Sequence, residues 1–450
     1  MSGFDAIFKA YDIRGVYPDQ IDADRCRAIG AAFAHFVRGD DPEVTRAVIA
    51  HDMRPSGPEL VEAFTAGVVG QGLDVVELGL ASTDMMYFAS GHLDAPGAVF
   101  TASHNPAQYN GIKLCRRAAA PIGEESGLAQ IQGWALSGLD PVETTGAVSS
   151  ADLLGSFAAH VLSFVDRSAM RPLKVVADTA NGMGGLVVPA VFDHLPFELE
   201  ILFPELDGTF PNHPADPLNP DNLADLQKRV LEVGADIGLA FDGDADRVFL
   251  VDEQARPVSG SLTTALLARA LLEQEPGGQV IHNLICSKTV PEVVSEAGGT
   301  PIRSRVGHSF IKQVMADTGA IFGGEHSAHY YFRDNWRADS GLIAAVKVLE
   351  QLCLSGGSLS TLLEPLDRYA ASGEINTKVA DPAKVIDHVA SHYADATSDR
   401  LDGLTVDEGD WWFNLRPSNT EPLLRLNLEA PTEEECAQRV SEVQAVMASA

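Results

Sequence analysis

Cysteine is scarce in this chain. Its five residues, Cys26, Cys115, Cys286, Cys353 and Cys436, are odd in number, widely spaced and form no C-x-x-C pair. That pattern argues against a disulfide framework or a zinc site and predicts buried free thiols. No apolar run approaches the ~20 residues that a bilayer crossing requires. The stretch from Met1 to Gly15 carries Asp5, Lys9 and Asp12 among its apolar residues, unlike a secretory leader. These absences predict a cytoplasmic protein with no membrane partner. Positive charge is also scarce, with 32 basic against 63 acidic side chains and a net charge of −31. Such a surface repels nucleic acid and anionic lipid. It also repels phosphorylated metabolites, so an enzyme acting on one must gather its few Arg and Lys around the site.

What is present is length and alternation. A chain of 450 residues exceeds a single core and should divide into about three or four domains. Val- and Ile-rich runs alternate with amphipathic stretches, which predicts α/β domains with buried strands. Strands are expected at 47–50, 75–78, 98–100, 174–177, 237–241, 280–285 and 320–322, with helices at 58–70, 223–233, 261–272, 309–316 and 342–352. A last helix should open at Thr432, where Glu435 completes a capping box. Composition shifts place joins in 137–150, 252–259 and 356–365. They give three α/β domains over 1–148, 149–254 and 255–364, and a smaller α+β domain over 365–450 with strands at 373–379, 411–415 and 423–428.

Three apolar runs end in polar, chemically loaded loops, the position where α/β sheets bind ligands. The first is Thr101-Ala-Ser103-His104-Asn105-Pro106. A serine there is a weak nucleophile unless a base, a metal or a bound charge activates it. The second, Asp242-Gly-Asp244-Ala-Asp246-Arg247, sets three carboxylates at alternate positions and suits a hard cation such as Mg2+. An EF-hand is disfavoured because Arg247 stands at the sixth position, where the calcium loop needs glycine. The third, Gly323-Gly-Glu325-His326-Ser327-Ala-His329, offers Glu325 and Ser327. They would share one side of an extended segment, well suited to vicinal sugar hydroxyls. His329 fits proton handling or a phosphate contact, and zinc is disfavoured for want of partner ligands. A further loop, Arg416-Pro-Ser418-Asn419-Thr420-Glu-Pro-Leu-Leu-Arg425, combines two guanidiniums with hydroxyl, amide and backbone donors, a phosphate grip. Arg14 and Lys113 each bring one cation, and Gly307-His308-Ser309 is an ordinary turn before a helix.

Taken together and in this order, the Tyr11-Asp-Ile-Arg14-Gly opening and these four loops resemble the α-D-phosphohexomutase superfamily, from Lys9 to Arg425. The resemblance implies four domains around a central cleft, the last related to the TATA-binding-protein fold. It also implies that Ser103 is phosphorylated and that Mg2+ joins its phosphate to Asp242, Asp244 and Asp246. The phosphoryl group would pass to a sugar monophosphate, forming a sugar 1,6-bisphosphate that turns end for end before returning a phosphate. Arg416, Ser418, Asn419, Thr420 and Arg425 would hold the distal phosphate, with Tyr11, Glu325 and Ser327 on the sugar. Arg14, His104, Lys113, Arg247, His308 and His329 would move protons and stabilise charge, with Lys288 and Arg305 adding positive potential. One departure is Ala245, where the family usually has glycine; little change is expected, since both are small.

His329 after Ser327-Ala328 resembles the bacterial phosphomannomutase/phosphoglucomutase branch, whereas phosphoglucosamine mutases usually carry Gln where this chain has His326. A site reading only the 3- and 4-hydroxyls would discriminate weakly at the 2-position. The expectation is therefore conversion of mannose 6-phosphate to mannose 1-phosphate, with glucose phosphates also accepted, by a monomer or homodimer. Phosphoglucosamine mutase and a Mg2+-dependent sugar phosphatase are the alternatives.

Overall fold

The computed structural model describes residues 3–417 and 423–450, and all of these but the side chain of His308. Its strands form four sheets. In the first, β1 (Ile13–Val16), β2 (Arg46–His51), β3 (Asp74–Leu80), β4 (Gly97–Phe100), β5 (Tyr109–Cys115) and β6 (Val148–Ser150) lie in the order β1-β5-β4-β2-β3-β6. The second takes β7 (Lys174–Asp178), β8 (Glu198–Leu202), β9 (Ile237–Phe241), β10 (Val248–Asp252) and β11 (Pro257–Val258) in the order β11-β10-β9-β7-β8. The third comprises β12 (Gln279–Asn283), β13 (Thr300–Ser304), β14 (Phe322–Gly324) and β15 (Tyr330–Phe332), in the order β13-β12-β14-β15.

One topology recurs in all three. Three parallel strands (β2, β3, β4; then β7, β8, β9; then β12, β13, β14) are followed by one that returns antiparallel: β5, β10 or β15. Each chemically loaded loop is the link between the last parallel strand and its returning neighbour, which puts all three loops at carboxyl strand ends. The first two sheets reach a few residues past the joins expected at 148 and 254, because β6 pairs with β3 and β11 with β10. The fourth sheet is wholly antiparallel, β16 (Ala370–Lys378), β17 (Thr397–Asp399), β18 (Leu404–Asp407), β19 (Trp412–Pro417) and β20 (Leu423–Ala430), in the order β16-β20-β19-β18-β17. Helices Pro382–His392 and Glu433–Ala448 accompany it, the α+β unit expected.

Two expected strands differ. Residues 280–285 were expected throughout as strand, but β12 stops at Asn283, where the chain turns and Cys286 N bonds back to Asn283 O. The run at 320–322 enters the sheet only at Phe322, the first residue paired with β12, and Ile321 N bonds Gln279 O at the edge of the ladder. Both apolar tails are buried in tertiary contacts, which apolarity alone cannot tell from strand. The last helix begins as expected, with the Thr432 hydroxyl accepting from Glu435 N.

A single apolar cluster from Val48 to Leu366 draws on the first three units, welding them into one body. The fourth keeps its own core, from Val385 to Met447. Polar links join it to the third: Lys288 Nζ to Asp407 at 2.8 Å, Lys288 N to Glu429 at 3.0 Å and Arg303 Nη2 to Thr405 at 2.8 Å. All five cysteines are buried free thiols. Among the described residues, no helix is long and apolar enough to cross a membrane.

Candidate active site

The serine loop leaves β4 and is pinned before it reaches β5. Ser103 N donates to the Thr101 hydroxyl at 2.9 Å, and Asn105 N to Ala102 O at 2.9 Å. Ser103 itself sits at φ +47, a left-handed conformation that costs a residue with a Cβ about 1–2 kcal/mol. A buried guanidinium supports that strained turn from beneath. Arg54 Nη2 donates to Ser103 O at 2.9 Å and Asn105 O at 2.7 Å, and Nη1 to Pro106 O and Tyr109 O, both at 2.9 Å. Asp52 Oδ2 receives Arg54 Nε at 3.2 Å, which balances the buried charge. Arg14 Nη1 reaches Asn105 Oδ1 at 2.5 Å from the opening segment.

The metal loop comes up against this turn from the second unit. Ser103 Oγ donates to Asp242 Oδ2 at 2.8 Å, and a Cβ on Gly243 would lie 2.4 Å from Ser103 O, so only glycine allows the two loops to touch. Asp242, Asp244 and Asp246 are buried, with one oxygen of each within 4.8 Å of the others. Asp244 Oδ1 and Asp246 Oδ1 are buried and have no hydrogen-bond partner among the described residues, a rare condition for charged oxygen. An all-oxygen set with two free donor atoms fits a divalent cation such as Mg2+.

Lys113 Nζ, from β5, bonds Asp244 Oδ2 at 2.7 Å and Asp246 Oδ2 at 2.6 Å, and Thr83 Oγ1 adds a bond to Asp244 at 2.6 Å. Arg247 Nε meets Asp242 Oδ2 at 2.8 Å, while its Nη2 lies 3.4 Å from Ser103 Oγ and 2.6 Å from His104 Nδ1. Three carboxylates thus face two cations. Burial pushes Asp242 up to about 7, whereas Asp244, which burial would also raise, is held low by Lys113. Burial, reinforced by Arg247 and Arg14, drives His104 down to about 2 and keeps its ring neutral. A hard cation would supply the missing charge.

The third loop joins through an isolated antiparallel bridge between Arg247 and His329. His329 Nδ1 lies 2.8 Å from Asp339 Oδ2 and 3.9 Å from Asp246 Oδ1. Burial alone would lower this imidazole, but Asp246 and Asp339 hold its pKa above the usual value. Asp339 Oδ1 is in turn 2.8 Å from the buried Lys312 Nζ. Residues 325–327 are not extended, the condition under which Glu325 and Ser327 would share one side. Ala328 N returns to Glu325 O at 3.0 Å with Ala328 at φ +64, so the segment is a tight turn. Glu325 is buried and accepts from Asn283 at 3.2 Å, Gly307 N at 3.1 Å and the Tyr331 hydroxyl at 2.7 Å, while Ser327 is half-buried. A carboxylate has about four lone-pair sites, so one is left for a ligand.

Tyr11 lines the same space, its ring edge-on to Phe310 at 5.9 Å. Burial raises its pKa, with Asp402 and Glu325 adding to the rise and Arg305 and Arg416 opposing it. Arg416 and Arg425 are opposite one another on β19 and β20. Ser418, Asn419 and Thr420 lie outside the described residues, as does the His308 side chain at the head of helix His308–Thr318. The role expected of Lys288 needs correcting: its charge is taken up by Asp407 in the fourth unit. Arg305 stacks over Phe310 at 4.3 Å. Ala245 is less neutral than its size suggests, because at φ +59 it occupies backbone that glycine adopts without strain. Arg54, Asp52, Thr83 and Asp339 went unread in the sequence. Asp52-Met-Arg54-Pro follows β2 as the reactive loops follow their strands, and that was the available signal.

Family models agree with this assembly along the chain. Phosphoglucomutase/phosphomannomutase alpha/beta/alpha domain I matches residues 5–133, domain II 155–256, domain III 259–369 and the C-terminal domain 374–446. A protein of Xanthomonas campestris named as phosphohexose mutases is 44% identical over 427 residues, 94% of each chain. The phosphomannomutase of Salmonella typhimurium is 41% identical over 435 residues, again 94% of each. A crystal structure of a phosphoglucomutase/phosphomannomutase family protein from Burkholderia thailandensis superposes with a TM-score of 0.90 at 33% identity, covering 98% of this chain and 97% of that one. With a serine turn, an acidic triad and two flanking cations brought together by a fold shared end to end, the chain belongs to the phosphoglucomutase/phosphomannomutase family.

Proposed function

We propose that the protein is a phosphomannomutase, interconverting mannose 6-phosphate and mannose 1-phosphate through a phosphoserine at Ser103, and that it also accepts glucose phosphates. The observation that carries this reading is the 2.8 Å contact of Ser103 Oγ with Asp242, beside Lys113 and Arg247 and two carboxylate oxygens that lack a hydrogen-bond partner among the described residues. Phosphoryl transfer needs charge neutralisation and in-line placement above all. Asp242, Asp244 and Asp246 would hold Mg2+, which when bound neutralises charge on the transferring phosphoryl group.

In the forward step a sugar hydroxyl attacks phosphorus, the bond from phosphorus to Ser103 Oγ breaks, and the serine oxygen recovers a proton as the sugar hydroxyl loses one. Arg247, 3.4 Å from that oxygen, would stabilise the charge that develops on it. Lys113 is held beneath the triad by Asp244 and Asp246, which keep its pKa well above the ordinary value despite burial. It is therefore assigned to fixed positive potential rather than to proton transfer. His329, set by Asp339, is the better placed group to exchange a proton with the sugar. Glu325 and Ser327 would take ring hydroxyls, and the Arg416–Arg425 loop the distal phosphate. The sugar 1,6-bisphosphate formed would turn over within the cleft and return its other phosphate to Ser103. Five buried, unpaired thiols support a reducing compartment, and the cytoplasm is the proposed setting.

The test is a coupled assay on mannose, glucose and glucosamine 1-phosphates with trace sugar 1,6-bisphosphate, on the native protein and Ser103→Ala. Mannose 1-phosphate should be the best substrate, and Ser103→Ala should lose several orders of magnitude in kcat while retaining substrate binding. Undiminished kcat in that variant would refute the phosphoserine route, and dominant glucosamine turnover would refute the substrate assignment.

A further inference from the structure

Arg416 and Arg425 are Cα partners on neighbouring antiparallel strands, an arrangement that sets two like charges side by side. The carboxylate that accompanies them comes from β16. Glu374 Oε2 is 3.3 Å from Arg416 Nη2, and Oε1 is 3.4 Å from Arg425 Nη1. Strand register explains how it gets there. Arg425 faces Asn376, and Glu374 stands two places before Asn376 on the same face, just after a bulge between Ala371 and Glu374 where Gly373 takes φ +65. Bulges re-aim side chains, and this one delivers a single carboxylate to both guanidiniums.

The contacts are loose. Charge-assisted pairs close to about 2.7–2.9 Å when fully formed, and these remain at 3.3–3.5 Å. Nε of both arginines is buried with no hydrogen-bond partner among the described residues. Glu374 is itself 30% exposed. The same charges reach the sugar turn. Burial lowers the His326 pKa, while Glu374 and Arg416 act on it in opposite directions. The contacts of Glu374 with Arg416 and Arg425 set its carboxylate beside the two guanidiniums assigned to the phosphate.

We propose that Glu374 is a resident counter-ion that competes with the substrate's phosphate for Arg416 and Arg425, and so sets how firmly a sugar phosphate is gripped and how readily it is let go. The inference rests on the phosphate-gripping role assigned above to this loop. Its use follows from the reaction. A bisphosphate that must present each end in turn has to leave this grip once per cycle, and a carboxylate waiting at the guanidiniums lowers the cost of letting go. It also holds the two arginines together when no phosphate is bound.

Binding of glucose 1-phosphate, measured by calorimetry on Ser103→Ala so that the ligand stays intact, tests the idea. Adding Glu374→Gln should tighten binding roughly fivefold, the scale of a half-exposed ion pair. KM for glucose 1-phosphate should fall in step in the enzyme that retains Ser103. Glu374→Asp keeps the charge but withdraws it from the guanidiniums, so it should tighten binding to a smaller degree, and it serves where Glu374→Gln does not fold. Arg416→Met with Arg425→Met should weaken binding and abolish the gain. Unchanged or weaker binding on removing the carboxylate, with the arginine variants still defective, would overturn the competition alone and make Glu374 a simple support. Arginine variants that bind as well as the parent would instead remove the phosphate grip itself, and the competition with it.

Discussion

The guanidinium of Arg54 donates to the carbonyl of Ser103 at 2.9 Å, from the end of a different strand. Three more carbonyls of the same turn share that guanidinium. The strained backbone of the proposed nucleophile is thus held by bonds from Arg54 to main-chain carbonyls. Replacing Arg54 with Met should lower kcat about 100-fold through misplacement of the serine. It should also destabilise the fold by about 3–5 kcal/mol, because Asp52 is left as an unpaired buried charge. Steady-state kinetics and thermal melting measure the two effects, and an unaltered kcat in a folded variant would remove Arg54 from the positioning of Ser103.

Gly243→Ala puts a methyl group 2.4 Å from Ser103 O, at backbone that cannot swing aside. Overpacking of this kind costs about 1–3 kcal/mol. Here it should also cut kcat, because the serine loop must retreat from the acidic triad. A variant with native kcat and melting temperature would show that the two loops do not pack as described.

Divalent cation should stabilise the protein as well as activate it. Three buried carboxylates against two cations repel one another, and a ligand that binds only the folded state raises stability by mass action. Mg2+ at one hundred times its Kd should add about 2.7 kcal/mol, seen as a higher melting temperature. Asp246→Asn should weaken that response, and chelation should abolish turnover. A melting temperature indifferent to Mg2+ would argue against a metal on the triad.

His213 provides a pH signature away from the catalytic loops. Its Nε2 lies 3.0 Å from Asp178 Oδ2, with Nδ1 2.9 Å from Pro214 O. Burial would lower its pKa, but Asp178, helped by the more distant Asp225, raises it above the free value. A raised folded-state pKa means that the folded state holds the proton more tightly than the unfolded chain. The stabilisation is therefore complete below the unfolded value of about 6.5 and is lost as pH rises through the folded value. Denaturant midpoints from pH 5.5 to 8.5 should fall more steeply for the native protein than for His213→Gln, and parallel profiles would discount the pair.

Local chemistry was legible wherever a motif packed several functional groups into a few residues. Ser103, the three aspartates and the two loop arginines were readable because strand-ending apolar runs lead straight into polar clusters, a pattern set by neighbours in the chain. Arg54 was not, because the Asp52–Arg54 pair reads locally as an ion pair after a strand, while the four carbonyls that the guanidinium holds lie about fifty residues away. Glu374 is similar, its position set by a bulge in β16 and by register against β20. Whether 323–329 is extended or turned was not legible, because side-chain alternation carries no information about Ala328 at φ +64.

Taken alone, the sequence determined the alternation that makes three α/β units and one α+β unit, and the kind of chemistry each reactive loop can support, since hydropathy period and functional groups are local properties. Tertiary structure decided which loops meet, which charges are paired, and which oxygens are left over. These depend on topology and burial: the recurring returning strand brings loops from separate units to one place, and only burial makes a carboxylate oxygen without a hydrogen bond a demand for a cation.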